Sequence, residues 1–363
     1  MTNRAEARID LGAIKTNAKN IINHLSDGTE FLAVVKADAY GHGAKRVSSA
    51  LSEIGVKHFA VATAEEALEL RNNGLEGEIL ILGKSDISYA DKLIEKDITQ
   101  AVEDVDYAKA LASHGKIKVH VKIDTGMSRF GIYCHGVEDL QYAFERVKEI
   151  YEIPQLEIAG IFTHFATADD EDESFTRRQF SAFKALCDKL YEEGINCGLR
   201  HCCNSAGALK FKDMHLDMVR IGIALYGLEL SVPEFPLVPA MSVVATLASV
   251  SKIGKNDTVS YGRTYKAEKG VTKGVVTFGY ADGMPRLLSN RYSLGVNGKK
   301  APILGRICMD LMIINLDGID AKAGDEVVIF GKDNEVSLMA DIIGTINYEI
   351  VCGISKRVPR VYN

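Results

Sequence analysis

The sequence predicts an α/β protein: a (β/α)8 barrel followed by a smaller, mainly β domain. Three observations carry that prediction. Eight short apolar runs, separated by segments of helical character, fall between Phe31 and Tyr226, and a barrel of this kind usually takes roughly 250 residues. After Leu230 the texture changes, with Pro233, Pro236 and Pro239 as breakers and short β-rich runs beyond them. A doubly wound open sheet would normally carry GxGxxG after its first strand, and this chain has none there. The expected division is therefore residues 1–233 as the barrel and 234–363 as the mainly β domain.

The elements follow in order. Residues 8–25 carry Ile9, Leu11, Ile14, Ile21, Ile22 and Leu25 at a mostly helical spacing. The eight strand candidates are FLAVV from Phe31, FAVA from Phe59, ILILG from Ile79, ITQAV from Ile98, IKVHVKI from Ile117, LEIAGIF from Leu156, LRHCC from Leu199 and MVRIGIALY from Met218. Among the intervening helices, AEEALELRNNG starts at Ala64, and RRQFSAFKALCDKLYEEG runs from Arg177 to a stop at Gly194. From Met241 come VVATLASV, GVVTFGY, YSLGV, APILGRI, LMIINL and EVVIFG. Asn297-Gly298 is a hairpin signal and Asp317-Gly318 another turn.

Composition narrows the class. Of 363 residues, 47% are hydrophobic and 25% charged, ordinary for a globular protein with a large core. The net charge of −6, without a lysine or arginine block, argues against a nucleic-acid partner. The start, MTNRAEARID, lacks an apolar signal region, and the uncharged stretch around Pro236 and Pro239 is a poor membrane span. Seven cysteines with no CxxC pair suggest a reducing compartment, the cytoplasm.

Barrel chemistry collects at the C-terminal ends of the strands. Lys36 ends the first run. Its bland reading is a packed stem with an ammonium in water; its sharp reading is a partly desolvated amine suited to a Schiff base. Tyr40 follows four residues later, and Gly41 and Gly43 should loosen the chain and leave space for a ligand. Lys122, Asp124 and Arg129 follow the fifth run, His164 ends the sixth, Asn204 and Ser205 end the seventh, and Arg220, Gly222 and Ile223 belong to the eighth. Barrels often bind phosphate after strands seven and eight. Each residue alone has a structural reading, His164 as a satisfied polar group and Arg220 as an arginine paired with a carboxylate. Together they suit one phosphorylated cofactor. A zinc site at His201, Cys202 and Cys203, or at Cys134-His135, is not expected, because consecutive strand residues face opposite ways and no second ligand pair is suitably spaced; no metal is assigned.

The segments VVKADAYGHG, KIDTGMSRFG, GIFTHFATAD, HCCNSAG, MVRIGIALYG, VSYGRTY, GYADG and GRICMD cover nearly the whole chain. They closely resemble those of the alanine racemases. The resemblance implies pyridoxal 5'-phosphate on Lys36, with Tyr40, Ser205, Gly222 and Ile223 at the phosphate and Asn204 close by. Arg220 would face the pyridine nitrogen, and Arg129 the phenolic oxygen and the substrate carboxylate. Tyr261 resembles the second catalytic base; Tyr280 and the Met309 amide resemble substrate-side groups. Lys122 matches a lysine that some members carry as a carbamate. The implied activity is two-base interconversion of L- and D-alanine, supplying D-alanine for peptidoglycan, in a homodimer whose sites combine Lys36 of one subunit with Tyr261 of the other. A phenol is a weak base at neutral pH unless cations lower its pKa, so His164 and Arg220 are the expected tuners. One position departs from the family. ISKRVPR carries Lys356 where a tyrosine is usual, which makes a serine or broad-specificity amino-acid racemase the alternative. Pyridoxal-dependent decarboxylases share the barrel but would place an acid where Arg220 stands.

Overall fold

Short runs rich in Val, Ile and Leu, apolar on both faces, form strands that must be covered on both sides. The computed structural model describes residues 4–228, 235–331 and 335–363. Its eight parallel barrel strands are Glu30–Val34, His58–Val61, Glu78–Ile81, Thr99–Val102, Ile117–Asp124, Leu156–Phe162, Leu199–His201 and Met218–Ile221. Each pairs with the next, and Met218–Ile221 pairs back onto Glu30–Val34, which closes the barrel. All eight expected runs are strands. The helices between them start where side chains accept the first free amides. Thr63 accepts from Glu66 N ahead of Ala64–Asn72, and Asp104 from Tyr107 N ahead of Val105–Ala112. The longest, Ser174–Glu192, is followed by Gly194 at φ 75°, a left-handed position suited to glycine.

The chain forms two compact units. One holds residues 14–39 and 44–238; the other holds residues 1–13, 40–43 and 239–363. The expected boundary at 233/234, with Pro233, lies outside the described residues. The N-terminal end differs from expectation. Residues 8–10 were expected to begin a helix in the barrel, yet Ala5–Ile9 is a strand of the β unit and the helix starts at Leu11. The reason is periodicity: Ala5, Ala7 and Ile9 are buried while Glu6 and Arg8 are half-buried, a period of two that a 3.6-residue pattern cannot satisfy.

In the β unit the long strand Met241–Ile253 pairs with Ala5–Ile9, Glu326–Phe330 and Val271–Val276, all antiparallel. Arg360–Tyr362 adds in parallel to the far edge of Ala5–Ile9. Val296 pairs with Lys299 across Asn297 (φ 48°) and Gly298 (φ 74°), the two left-handed residues a tight hairpin requires. Two short helices, Val336–Ile343 and Asn347–Cys352, were not anticipated. Among the described residues, no helix is long and apolar enough to cross a membrane.

Candidate active site

The first barrel strand delivers Lys36 into a turn of unusual hand. Ala37, Asp38, Ala39 and Tyr40 all have φ between 52° and 54°, a left-handed run that costs L-residues roughly 1–2 kcal/mol each. Side chains hold the start of it. Glu66 accepts from Ala37 N at 2.6 Å and from Ala62 N at 2.8 Å, and Asp38 accepts from Ala44 N at 2.7 Å. The glycines beyond do not loosen the chain. A Cβ on Gly41 would lie 2.6 Å from Val351 O, and one on Gly43 would strike the Tyr362 hydroxyl. They permit close backbone approach rather than making room for a ligand. Tyr40 is buried there, its ring 6.0 Å from that of Tyr348, and burial pushes its phenol pKa up.

Inside the barrel lies a polar chain. Arg220 is 3% exposed. Its guanidinium donates to His201 Nδ1 at 2.9 Å, Thr163 O at 2.7 Å, Cys202 O at 3.0 Å and His164 Nδ1 at 3.2 Å. Its partners there are imidazole nitrogens and carbonyls, not the carboxylate of a structural arginine pair, and burial pushes its pKa down to about 10. Arginine has no acceptor, so His201 accepts on Nδ1, keeps its proton on Nε2 and presents it to His120 Nδ1 at 2.8 Å. By the same logic the His164 proton sits on Nε2. Burial drives His120 down to about 4 and His201 well below its ordinary value, so both are neutral. Gly160 makes space for this chain: a Cβ there would lie 2.6 Å from His120 Cε1, and the pairing register shifts between Val119 and His120.

Cations gather around it. Lys122 is 5% exposed, donates to Ile123 O at 2.7 Å, and is pushed down to about 7 by burial and then by Arg220. His164 is held well below its ordinary pKa by burial, then by Arg220, Lys122, Arg129 and Lys36. Exposed Arg129 follows a turn organised by Asp124, whose Oδ1 accepts from Gly126 N and Ser128 N, each at 3.0 Å.

After strands seven and eight, Asn204 caps the short helix Ser205–Lys210 by accepting from Gly207 N at 2.9 Å. Ser205 Oγ accepts from Gly222 N at 2.9 Å and Ala224 N at 3.4 Å, leaving its own proton to donate elsewhere. The expected phosphate-side residues Ser205, Gly222 and Ile223 are thus brought together at this end. Cys202 and Cys203 do not face opposite ways as expected. The strand ends at His201, and both sulfurs lie near Met214 O, at 3.1 and 3.2 Å.

The remaining expected residues belong to the β unit, and all are exposed there: Tyr261 at 71%, Tyr280 at 42%, Met309 at 52%, and Lys356. Tyr261 stands between Ser260 (φ 64°) and Gly262 (φ 71°). Ser260 Oγ donates to Arg306 O at 2.5 Å, and a Cβ on Gly262 would meet the Arg306 guanidinium at 2.8 Å. Tyr280 N donates to Cys308 O and Ala281 N to Met309 O, both at 3.0 Å. Sequence reasoning missed His120, His201 as an arginine partner, and Thr163. For His120 the signal was present in IKVHVKI, where Lys118, His120 and Lys122 share one parity against the apolar residues of the other.

Comparison with known proteins identifies the family. Residues 9–230 match the family model described as alanine racemase, N-terminal domain, and residues 240–362 match alanine racemase, C-terminal domain. An alanine racemase of Clostridium perfringens is 42% identical over 370 residues, covering 98% of this chain and 94% of the relative. The solved alanine racemase of Clostridium difficile 630 superposes with a TM-score of 0.92 at 36% identity, covering 100% of this chain and 96% of that one. That of E. faecalis gives 0.92 at 35% identity, covering 99% and 98%. With both halves matched and the barrel-end constellation in place, the chain belongs to the alanine racemase family.

Proposed function

We propose that the protein is a pyridoxal-phosphate-dependent alanine racemase of the cytoplasm, supplying D-alanine for peptidoglycan. The observation that carries this reading is the surplus of positive charge at one barrel end. Lys36, Lys122, Arg129 and Arg220 all bear on His164, and the buried guanidinium of Arg220 is held by neutral acceptors. Such a set fits a ligand carrying several negative charges. Pyridoxal phosphate is one, with its phosphate suited to Ser205, Gly222 and Ile223, with Asn204 and Tyr40 nearby, its ring nitrogen to Arg220 and its phenolic oxygen to Arg129. When bound, it supplies the electron sink that makes the Cα proton of an amino acid removable.

The chain's own residues supply the rest. The barrel unit would hold the cofactor, and the β unit would supply the second base. Lys36 Nζ takes or returns the proton on one face of Cα, and Tyr261 Oη serves the other, as inversion requires. The His164 Nε2–H is a donor suited to stabilising a phenolate, and its imidazole stays neutral because burial first, and then the basic groups led by Arg220, oppose its protonation. Arg129 seats the substrate carboxylate; the Met309 amide and Tyr280 line the substrate side. Because Arg220 offers donors only, it would give a ring nitrogen placed against it no acceptor for a proton. Such an arginine would weaken the sink that the cofactor supplies and favour simple return of the proton.

The test is racemisation of L-alanine, L-serine and larger amino acids by the purified protein, with borohydride reduction and peptide mapping. Label on Lys36 and turnover of alanine are expected; label on another lysine overturns the assignment. A serine or broad-specificity racemase is favoured only by exposed Lys356 in place of the family's usual tyrosine, and a higher kcat/KM for serine than for alanine would establish it.

A further inference from the structure

The GYADG turn contains a residue that the mechanism above does not use. Asp282 has none of its surface exposed, although Tyr280 two residues earlier is 42% exposed. Its carboxylate is fully engaged. Arg4 binds both oxygens, Nη1 to Oδ1 at 2.6 Å and Nη2 to Oδ2 at 3.0 Å. Arg357 Nε reaches Oδ1 at 2.9 Å, and Gly279 N donates to Oδ2 at 2.8 Å. The same two arginines extend to the next loop: Arg4 Nη2 donates to Asp310 O at 2.8 Å and Arg357 Nη2 to Asp310 Oδ1 at 2.7 Å. The Asp282 carbonyl accepts from Ser355 N at 3.1 Å. Gly283 lets the backbones close in, since a Cβ there would lie 2.6 Å from Gly353 O.

The pinned residues are the immediate neighbours of the expected substrate-side groups. Gly279 precedes Tyr280, Asp310 follows Met309, and Ser355 and Arg357 flank Lys356. Two carboxylates balance two guanidiniums, and the arginines, 39% and 42% exposed at their side chains, keep one side in water while Asp282 does not. Bidentate guanidinium–carboxylate pairs fix direction as well as distance.

We propose that Asp282 is a positioning residue for the substrate pocket. From one buried carboxylate it sets where Tyr280, Met309 and Lys356 stand, and so governs affinity and side-chain selectivity for the amino acid. This rests on the racemase reading above. A purely structural clamp would change stability alone, whereas a positioning residue moves KM and selectivity while the barrel-side chemistry persists.

The experiment compares wild-type and Asp282→Asn holoenzymes for kcat and KM on L-alanine and L-serine, with hydrogen exchange at the amides of Gly279 and Ser355. In Asp282→Asn, KM for alanine should rise roughly tenfold with kcat within about twofold, and the alanine-to-serine ratio of kcat/KM should shift. Both amides should exchange faster. Arg357→Gln, which leaves Arg4 on the carboxylate, should show a smaller change in the same direction and supplies the readout if Asp282→Asn does not fold. Unchanged KM and ratio in a folded variant, or unchanged exchange, overturns the proposal. A wild-type protein that racemises no amino acid overturns the racemase reading instead, and hydrogen exchange still reports whether Asp282 pins these segments.

Discussion

At the scale of the residue, burial decides protonation, and His120 is the clearest case. Its folded-state pKa of about 4 lies below the ordinary 6.5 because burial penalises the charged ring. The unfolded chain therefore takes up a proton first as pH falls. The stability that neutral His120 contributes is present above pH 6.5 and is lost progressively down to about pH 4, on the order of 3 kcal/mol from this group alone. Urea titrations between pH 7 and 4 should show that decline, and His120→Gln should flatten part of it, since glutamine cannot charge. An equally steep decline in His120→Gln would place the acid sensitivity elsewhere. The same neutrality matters to Arg220. A protonated His201 could not accept from the guanidinium, so the chain from His120 to Arg220 keeps its polarity only while both rings stay neutral.

At the scale of the element, the barrel's polar interior exists because the sixth strand yields to the fifth. The missing side chain of Gly160 and the register shift beside it give the His120 ring its volume. Gly160→Ala would force a methyl within 2.7 Å of His120 Nδ1, an overpacking that typically costs roughly 1–3 kcal/mol. We expect a lower melting temperature for Gly160→Ala, and recovery of only part of the loss in the double variant with His120→Ala, because the contact with the imidazole is relieved while the one with the Leu199 carbonyl stays. Fully additive losses would mean that the Leu199 carbonyl alone, 2.5 Å from where the new Cβ would lie, sets the need for glycine. The turn after Lys36 follows the same logic. Its left-handed run is held by Glu66, which arrives from a later helix, and by Asp38 of the run itself, rather than by backbone preference.

At the scale of the whole molecule, the β unit exposes Tyr261, Tyr280, Leu287, Met309 and Leu311. Their segments are stitched into one region: Ser260 to Arg306, Tyr280 to Cys308, Ile307 to Ser289. Aromatic and apolar side chains grouped this way suit burial against another surface, and a two-fold homodimer is the proposed occupant, with each site drawing Lys36 from one subunit and Tyr261 from the other. Complementation tests this. Lys36→Ala and Tyr261→Phe homodimers should each be nearly inactive. Mixed dimers would hold one intact site of two, so random exchange should recover roughly a quarter of wild-type activity. No recovery, with exchange verified independently, would place both residues within one subunit.

The sequence by itself determined the eight barrel strands, the hairpin at Asn297-Gly298, and the strand-end residues from Lys36 to Ile223. Each of these is written in short-range patterns: apolar runs between breakers, turn residues with positive φ, polar groups just past a strand. Tertiary structure alone decided the rest. Ala5–Ile9 belongs to the β unit because its partner strand begins at Met241. His120 meets His201 across 81 residues of sequence, and Arg4 meets Asp282 across 278. Gly41 and Gly43 read as loose chain until the backbone and side chains they must clear come into view. Periodicity and turn chemistry record what a segment prefers next to its neighbours in sequence. Which distant segment fills the space beside it is settled only when the sheets close and buried charges find their partners.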